Sequence, residues 1–202
     1  MPTQKTTILL VRHGQTEWNQ QHRIQGNQDS PLTPLGKQQA EDIKQQLDQF
    51  EIHQAYVSPL KRARDTLDII LKERYIETKI LNELREIRLG PWEGKTRKET
   101  ALSHPLEHNH FWNTPDTFAL TGAETFQQLQ QRMVAGLEFI FSQSVNKNSL
   151  VVSHWIAIKV ALAFYQDIPL SQLSSIPDPD NGSFFWLTRQ DDQVLISTQI
   201  AD

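Results

Sequence analysis

The sequence predicts a three-layer α/β/α sandwich around a mostly parallel sheet, and three observations carry that expectation. Short leucine and β-branched runs alternate with longer stretches whose apolar residues recur every three or four positions. Helix-start signals sit where one pattern gives way to the other. The 202 residues show no repeat, low-complexity tract or linker, so residues 1–202 are expected to share one core in a single domain.

Ile8-Leu9-Leu10-Val11 is a buried strand by its unbroken apolar run. After a polar loop, Thr33-Pro34 supplies a cap followed by proline at the first helical position. Ala40, Ile43, Leu47 and Phe50 then mark one helical face. Ala55-Tyr56-Val57 reads as a second strand. Ser58-Pro59 repeats the cap-plus-proline signal ahead of a stripe of Leu60, Ala63, Leu67, Ile70 and Leu71. Periodicity fades beyond Glu83. Residues 90–122 carry Pro91, Trp92, Pro105, Phe111, Trp112 and Pro115, and are expected to form an irregular, partly helical, cap-like insertion over one end of the sheet. A helix returns with Phe126, Leu129, Met133, Leu137, Ile140 and Phe141. Ser149–Ser153 is a further strand feeding a helix near Trp155. Phe184–Leu187 and Val194–Ser197 close the pattern, with Asp191-Asp192 in the turn between them.

Composition narrows the function classes. The formal net charge of -4 gives no reason to expect nucleic acid or an anionic membrane as partner, although a few arginines suffice for a local anion pocket. The absence of cysteine excludes disulfides, thiolate metal sites and cysteine nucleophiles. The first residues lack the apolar stretch of a signal peptide, and Val151–Phe164, interrupted by His154 and Lys159, is too short to span a bilayer. The expected location is the cytoplasm.

Three strand-to-helix junctions end in cationic or potentially cationic groups. They are Arg12-His13-Gly14, Ser58-Pro59-Leu60-Lys61-Arg62 and Ser153-His154. In open α/β sheets ligands bind beyond the carboxyl ends of the strands, so the three should converge on one cleft. Two arginines and two histidines there describe a trap for a compact, multiply charged anion, and the arginine fork suits phosphate. A neutral imidazole can attack phosphorus, and fixed cations can supply the charge that a metal supplies elsewhere. A carboxylic acid must protonate the leaving oxygen, and Glu83-Leu84-Arg85-Glu86 offers one.

These residues carry a resemblance. Arg12-His13-Gly14-Gln15-Thr16-Glu17-Trp18-Asn19 resembles the signature octet of the histidine phosphatase superfamily, the phosphoglycerate mutase-like fold. The likeness continues through Gln25-Gly26, Asp29, Leu32-Thr33 and Gly36, then Ser58–Ala63. It extends to Leu84–Gly94, Gly122-Ala123-Glu124 and Ser153-His154, so five ordered segments cover nearly the whole chain. The resemblance implies that His13 is the phosphorylated nucleophile and that Arg12, Arg62 and His154 bind the phosphoryl group with help from Asn19. It implies that Glu86 is the proton donor and later the base for water, and that Gln25 and Gly26 border the substrate. No metal and no cofactor are implied. The family usually has glycine after its second histidine. Trp155 stands there instead, and its indole bears on substrate preference.

Blander readings exist for each residue. An isolated histidine is more often structural, but His13 and His154 stand within an ordered motif set. Lys61 and Arg64 are expected to be solvated neighbours. Glu83 and Glu93 compete with Glu86 for the acid role. His104, His108 and His110 lie in the least regular segment without a metal-ligand spacing, and are expected at the surface. Trp92, Phe111 and Trp112 are expected to pack the insertion, one or two of them lining the mouth of the cleft. The resemblance thus implies a metal-independent phosphomonoester phosphatase of broad or hydrophobic preference, acting on a small phosphorylated substrate. A cofactor-dependent phosphoglycerate mutase shares the same apparatus but carries an arginine pair in a longer insertion, whereas Arg97 is the only arginine between Gly90 and Gly122. An inactive phosphate-binding scaffold ranks last, since His13, Glu86 and the arginines are all present.

Overall fold

The computed structural model describes residues 5–191 and 193–198. Six strands form one sheet: β1 (Lys5–Arg12), β2 (Gln54–Val57), β3 (Thr78–Ile80), β4 (Asn148–Ser153), β5 (Phe184–Gln190) and β6 (Gln193–Ser197). Their order is β3-β2-β4-β1-β5-β6. The first four run parallel, while β5 is antiparallel to both β1 and β6. The helices are α1 (Glu17–Gln20), α2 (Pro34–Gln46), α3 (Lys61–Leu71), α4 (Arg97–Ser103), α5 (Pro105–Asn113), α6 (Phe126–Gln143) and α7 (Trp155–Tyr165). None of the described helices is long and apolar enough to cross a membrane.

The two-residue period of the central strands divides the core. Ile8, Leu10, Tyr56 and Val151 point into one apolar cluster with residues of α6 and α7. Leu9, Val11, Ala55, Val57, Leu150 and Val152 point into the other with residues of α2 and α3. A strand buried on both faces must be apolar at every position, which is why these runs do not alternate with polar residues. The insertion shares the first cluster: Trp92, Phe111, Phe118 and Phe126 meet there at ring separations of 5.2–5.9 Å.

Several boundaries differ from expectation. Thr33 caps α2 by accepting the Gly36 amide, but that helix stops at Gln46, and Phe50 lies beyond it with its ring 4.5 Å from Trp186. The Ser58-Pro59 signal does not start a helix. α3 begins at Lys61, because Leu60 stays extended and the first helical amides, of Lys61 and Arg62, donate to the Asp29 carboxylate. Residues 90–122 are more regular than expected, with α4 held by a Thr96–Glu99 capping box and α5 led by Pro105. β3 has no counterpart in the expected elements. Asp191 takes a φ of 54°, and Asp192 lies outside the described residues.

Candidate active site

Strand register brings the functional junctions together. Arg12 is aligned with Ser153 across β1 and β4, and Val57 with Val152 across β2 and β4. Beyond the strands, His13 N–H still donates to the Ser153 carbonyl and Ser58 N–H to that of Val152, each at 3.1 Å. His154 follows the central strand of the three, so it emerges between His13 and Ser58. The two imidazole centroids lie 5.1 Å apart.

The His13 tautomer follows from its partners. His13 Nδ1 is 2.7 Å from the Gly14 carbonyl, which can only accept, so that nitrogen carries the proton. Nε2 keeps its lone pair and accepts from Arg62 Nε–H at 3.2 Å. For His154, Nε2 sits 2.7 Å from Ser58 Oγ. Ser58 Oγ also accepts the Leu60 amide, and its hydroxyl hydrogen is free to donate to Nε2. His154 Nδ1 is buried and, among the described residues, without a hydrogen-bond partner, on the ring that flanks His13. Both histidines have pKa values well below the ordinary 6.5. Burial is the main cause in each, with Arg62 next, so both are neutral.

Arg62 is almost fully buried at the start of α3. It ties the Gly26–Asp29 loop to His13 through the Gly26 and Gln28 carbonyls and Asp29 Oδ1, at 2.6–2.8 Å. Arg12 donates through Nη1 to the Pro179 carbonyl, while its buried Nε has no partner among the described residues. Burial pushes its pKa down to about 10, so it remains charged at neutral pH. Asn19 closes a capping box with Thr16 through Oδ1, which also accepts from Asn181. Gly26 adopts a φ of 52°, and a Cβ there would stand 2.3 Å from Glu93 Oε1.

Glu86 comes to the cleft from the other side. Its carboxylate accepts the Ile87, Ala157 and Ile156 amides at 2.9, 3.1 and 3.2 Å, so it rests on the first turn of α7. Glu93 instead bonds the Asn27 and Leu89 amides as a strut between loops. Lys61 is exposed and paired with Asp65, and Arg64 is exposed. His104, His108 and His110 are partly exposed. His104 and His108 lie against Trp92, and His108 accepts from Trp112 Nε1. Among the described residues, no group of three or more histidines and carboxylates could hold a metal ion.

A cleft of about 300 Å³ is lined by Arg12, His13, Asn19, Gln25, Gly26, Arg62, Glu86 and Trp155, with His154 behind His13. Residues not foreseen as part of the site also line it. The loop Asp178-Pro179-Asp180-Asn181 closes one wall, with Asn181 Nδ2 donating to the His13 carbonyl at 3.1 Å. Arg97 reaches the rim from α4. Behind Glu86, Arg132 bonds the Glu83, Arg85 and Glu86 carbonyls and both oxygens of Glu124, all at 2.7–2.9 Å. Arg12, His13 and His154, expected from the sequence, had a strand-end signal. These others are brought in by tertiary contacts between segments far apart in sequence, which local pattern does not encode.

A model of the histidine phosphatase superfamily (branch 1) matches residues 8–200. The chain belongs to that superfamily. It is 32% identical over 157 residues to an uncharacterized phosphatase, PhoE, of Bacillus subtilis, covering 78% of this chain and 76% of that protein. A metal-independent phosphoserine phosphatase of Arabidopsis thaliana is 36% identical over 152 residues, covering 74% of this chain and 64% of the plant protein. Among solved structures, Bacillus stearothermophilus YhfR superposes with a TM-score of 0.93 at 35% identity, covering 95% of each chain. The fold of this histidine phosphatase domain is therefore that of the family.

Proposed function

We propose that the chain is a phosphomonoester phosphatase in which His13 carries the phosphoryl group between substrate and water. The observation that carries this reading is the state of His13, neutral, with Nδ1–H fixed on Gly14 and the Nε2 lone pair turned to Arg62 in the cleft. An incoming phosphoryl oxygen takes over the Arg62 Nε–H, whose 3.2 Å bond to Nε2 is long enough to be given up readily. Nε2 then forms a bond to phosphorus as the ester oxygen leaves. Arg12 Nε–H and His154, when protonated on Nδ1, are the donors offered to the equatorial oxygens, both atoms lacking a partner among the described residues. Positive charge developing on the His13 ring is spread toward the Gly14 carbonyl through Nδ1–H.

Glu86 delivers a proton to the leaving oxygen. It then accepts one from the water that attacks the phosphohistidine, releasing phosphate and restoring the neutral ring. Trp112, Trp155, Phe111 and Ile24 give the wall apolar surface, which supports a broad or hydrophobic preference among small phosphate esters. The relatives named as phosphatases support hydrolysis as the outcome.

Acid-quenched enzyme given a ³²P-labelled ester should carry label on His13, and His13→Ala should lose at least a thousandfold in kcat with its fold intact by circular dichroism. Turnover should persist after exhaustive chelation. Label on another side chain, or activity that one divalent ion restores, overturns the reading. The mutase alternative is separated by supplying 3-phosphoglycerate with 2,3-bisphosphoglycerate. Release of free phosphate is expected, and rapid formation of 2-phosphoglycerate without it would make the enzyme a mutase.

A further inference from the structure

The cleft wall formed by residues 178–181 holds a side-chain amide with no part in the chemistry above. Asn181 lies in the turn before β5 and lines the cleft. That turn is stitched to the nucleophile's strand. Gly182, at a φ of 73°, points its N–H back at the Arg12 and His13 carbonyls, at 3.3 Å from each. Arg12 N–H in turn donates to the Ser183 carbonyl at 2.9 Å.

Backbone groups settle which way two side-chain amides face. A carbonyl only accepts, so the Asn181 atom 3.1 Å from the His13 carbonyl is Nδ2. A backbone N–H only donates, so the Asn19 atom 3.0 Å from the Thr16 amide is Oδ1. Asn181 Nδ2 has a second hydrogen, and the same Oδ1 lies 3.3 Å away to accept it. The Thr16 hydroxyl donates there too, at 3.0 Å. With three donors on its oxygen, the Asn19 amide is fixed against turning over. Its Nδ2 has no partner among the described residues and is the end left for the cleft that Asn19 lines.

From this geometry, and resting on the phosphatase reading of the site, we propose that Asn181 is a positioning residue for the phosphoryl group. It acts through Asn19. By bridging the His13 carbonyl to Asn19 Oδ1, it holds the Asn19 Nδ2–H donor in register with the nucleophile. One end of the Asn19 amide is clamped, and the other meets a phosphoryl oxygen.

Vanadate, which takes the geometry of the transferring group, tests this in a double-mutant cycle read as Kd. Asn19→Ala should weaken vanadate binding about tenfold, the scale of one hydrogen bond to a charged group. Asn181→Ala should weaken it about fivefold in wild-type protein, but by less than about twofold in the Asn19→Ala background. The Asn19 side-chain amide protons should move downfield when vanadate binds wild-type protein, and much less in Asn181→Ala. Losses that multiply in the double variant overturn the proposal, as does vanadate binding untouched by either single substitution. Should Asn181→Ala lose its fold by circular dichroism, Asn181→Leu, which keeps the branched shape, takes its place in the cycle. Loss of fold by both would make the residue purely structural and overturn the proposal. The cycle reads binding alone, so it still decides if no ester is hydrolysed, a result that would defeat only the phosphatase reading. A wild-type chain that binds neither vanadate nor inorganic phosphate defeats both.

Discussion

The two histidines are held neutral mainly by burial, and that gives the fold a definite pH response. Their folded pKa values lie below the ordinary 6.5, so at pH values under 6.5 the unfolded chain binds protons that the native chain refuses. Stability is complete above pH 6.5 and falls as the pH drops, at up to about 1.4 kcal/mol per pH unit for each histidine. Urea titrations between pH 7.5 and 5.5 should show this slope, and His154→Asn should flatten it. A slope unchanged by that substitution would mean that other groups govern acid sensitivity. The residue scale is also where the sequence was easiest to read. Arg12, His13 and His154 follow apolar strands, so their position at a sheet edge is encoded locally. Ser58 illustrates the opposite. Its sequence context signals a helix cap, yet its hydroxyl hydrogen-bonds His154 Nε2, and only the parallel pairing of β2 with β4 brings the two together.

At the scale of elements, Glu86 depends on parts that no local pattern links to it. Its carboxylate sits on the amides of α7, and its backbone hangs from Arg132 of α6, all of whose donor hydrogens are engaged. Arg132→Met should therefore lower stability by about 3 kcal/mol, the scale for breaking a mostly buried ion pair. Arg132 is a positioning residue for Glu86, and the kinetics should show it. kcat for alkyl phosphates, which need a proton on the leaving oxygen, should drop roughly tenfold or more. kcat for 4-nitrophenyl phosphate, whose leaving group needs none, should change far less, and the Kd for vanadate should hardly move. Equal losses on both esters would reduce Arg132 to a purely structural role. Element types were legible where one face is buried, as in α2 and α6. β3 escaped notice because its flanks are exposed at the sheet edge, so Thr78-Lys79-Ile80 has no apolar pattern. α5 escaped because Phe111 is its only fully buried residue.

For the whole molecule, alternating strands and helices were enough to foretell three layers, but not the order of the strands. That order puts β1 between β4 and β5, so the first strand in the chain is paired on both sides by strands from its last third. The consequence concerns time. During synthesis, an unbroken apolar run ending in His13 emerges long before either neighbour exists, and more than 130 residues separate Arg12 from Asn148. At ribosomal rates the strand waits on the order of ten seconds for its first partner. A nascent chain arrested before Asn148 should therefore leave residues 8–11 open to proteases or chaperones, and arrest after Gln190 has left the exit tunnel should protect them. Protection of that segment in the shorter chain would show that α2 and α3 can shelter it alone. Otherwise the residue proposed as the nucleophile waits longest for its surroundings, and catalytic competence arrives only when the last third of the chain has folded around the first strand.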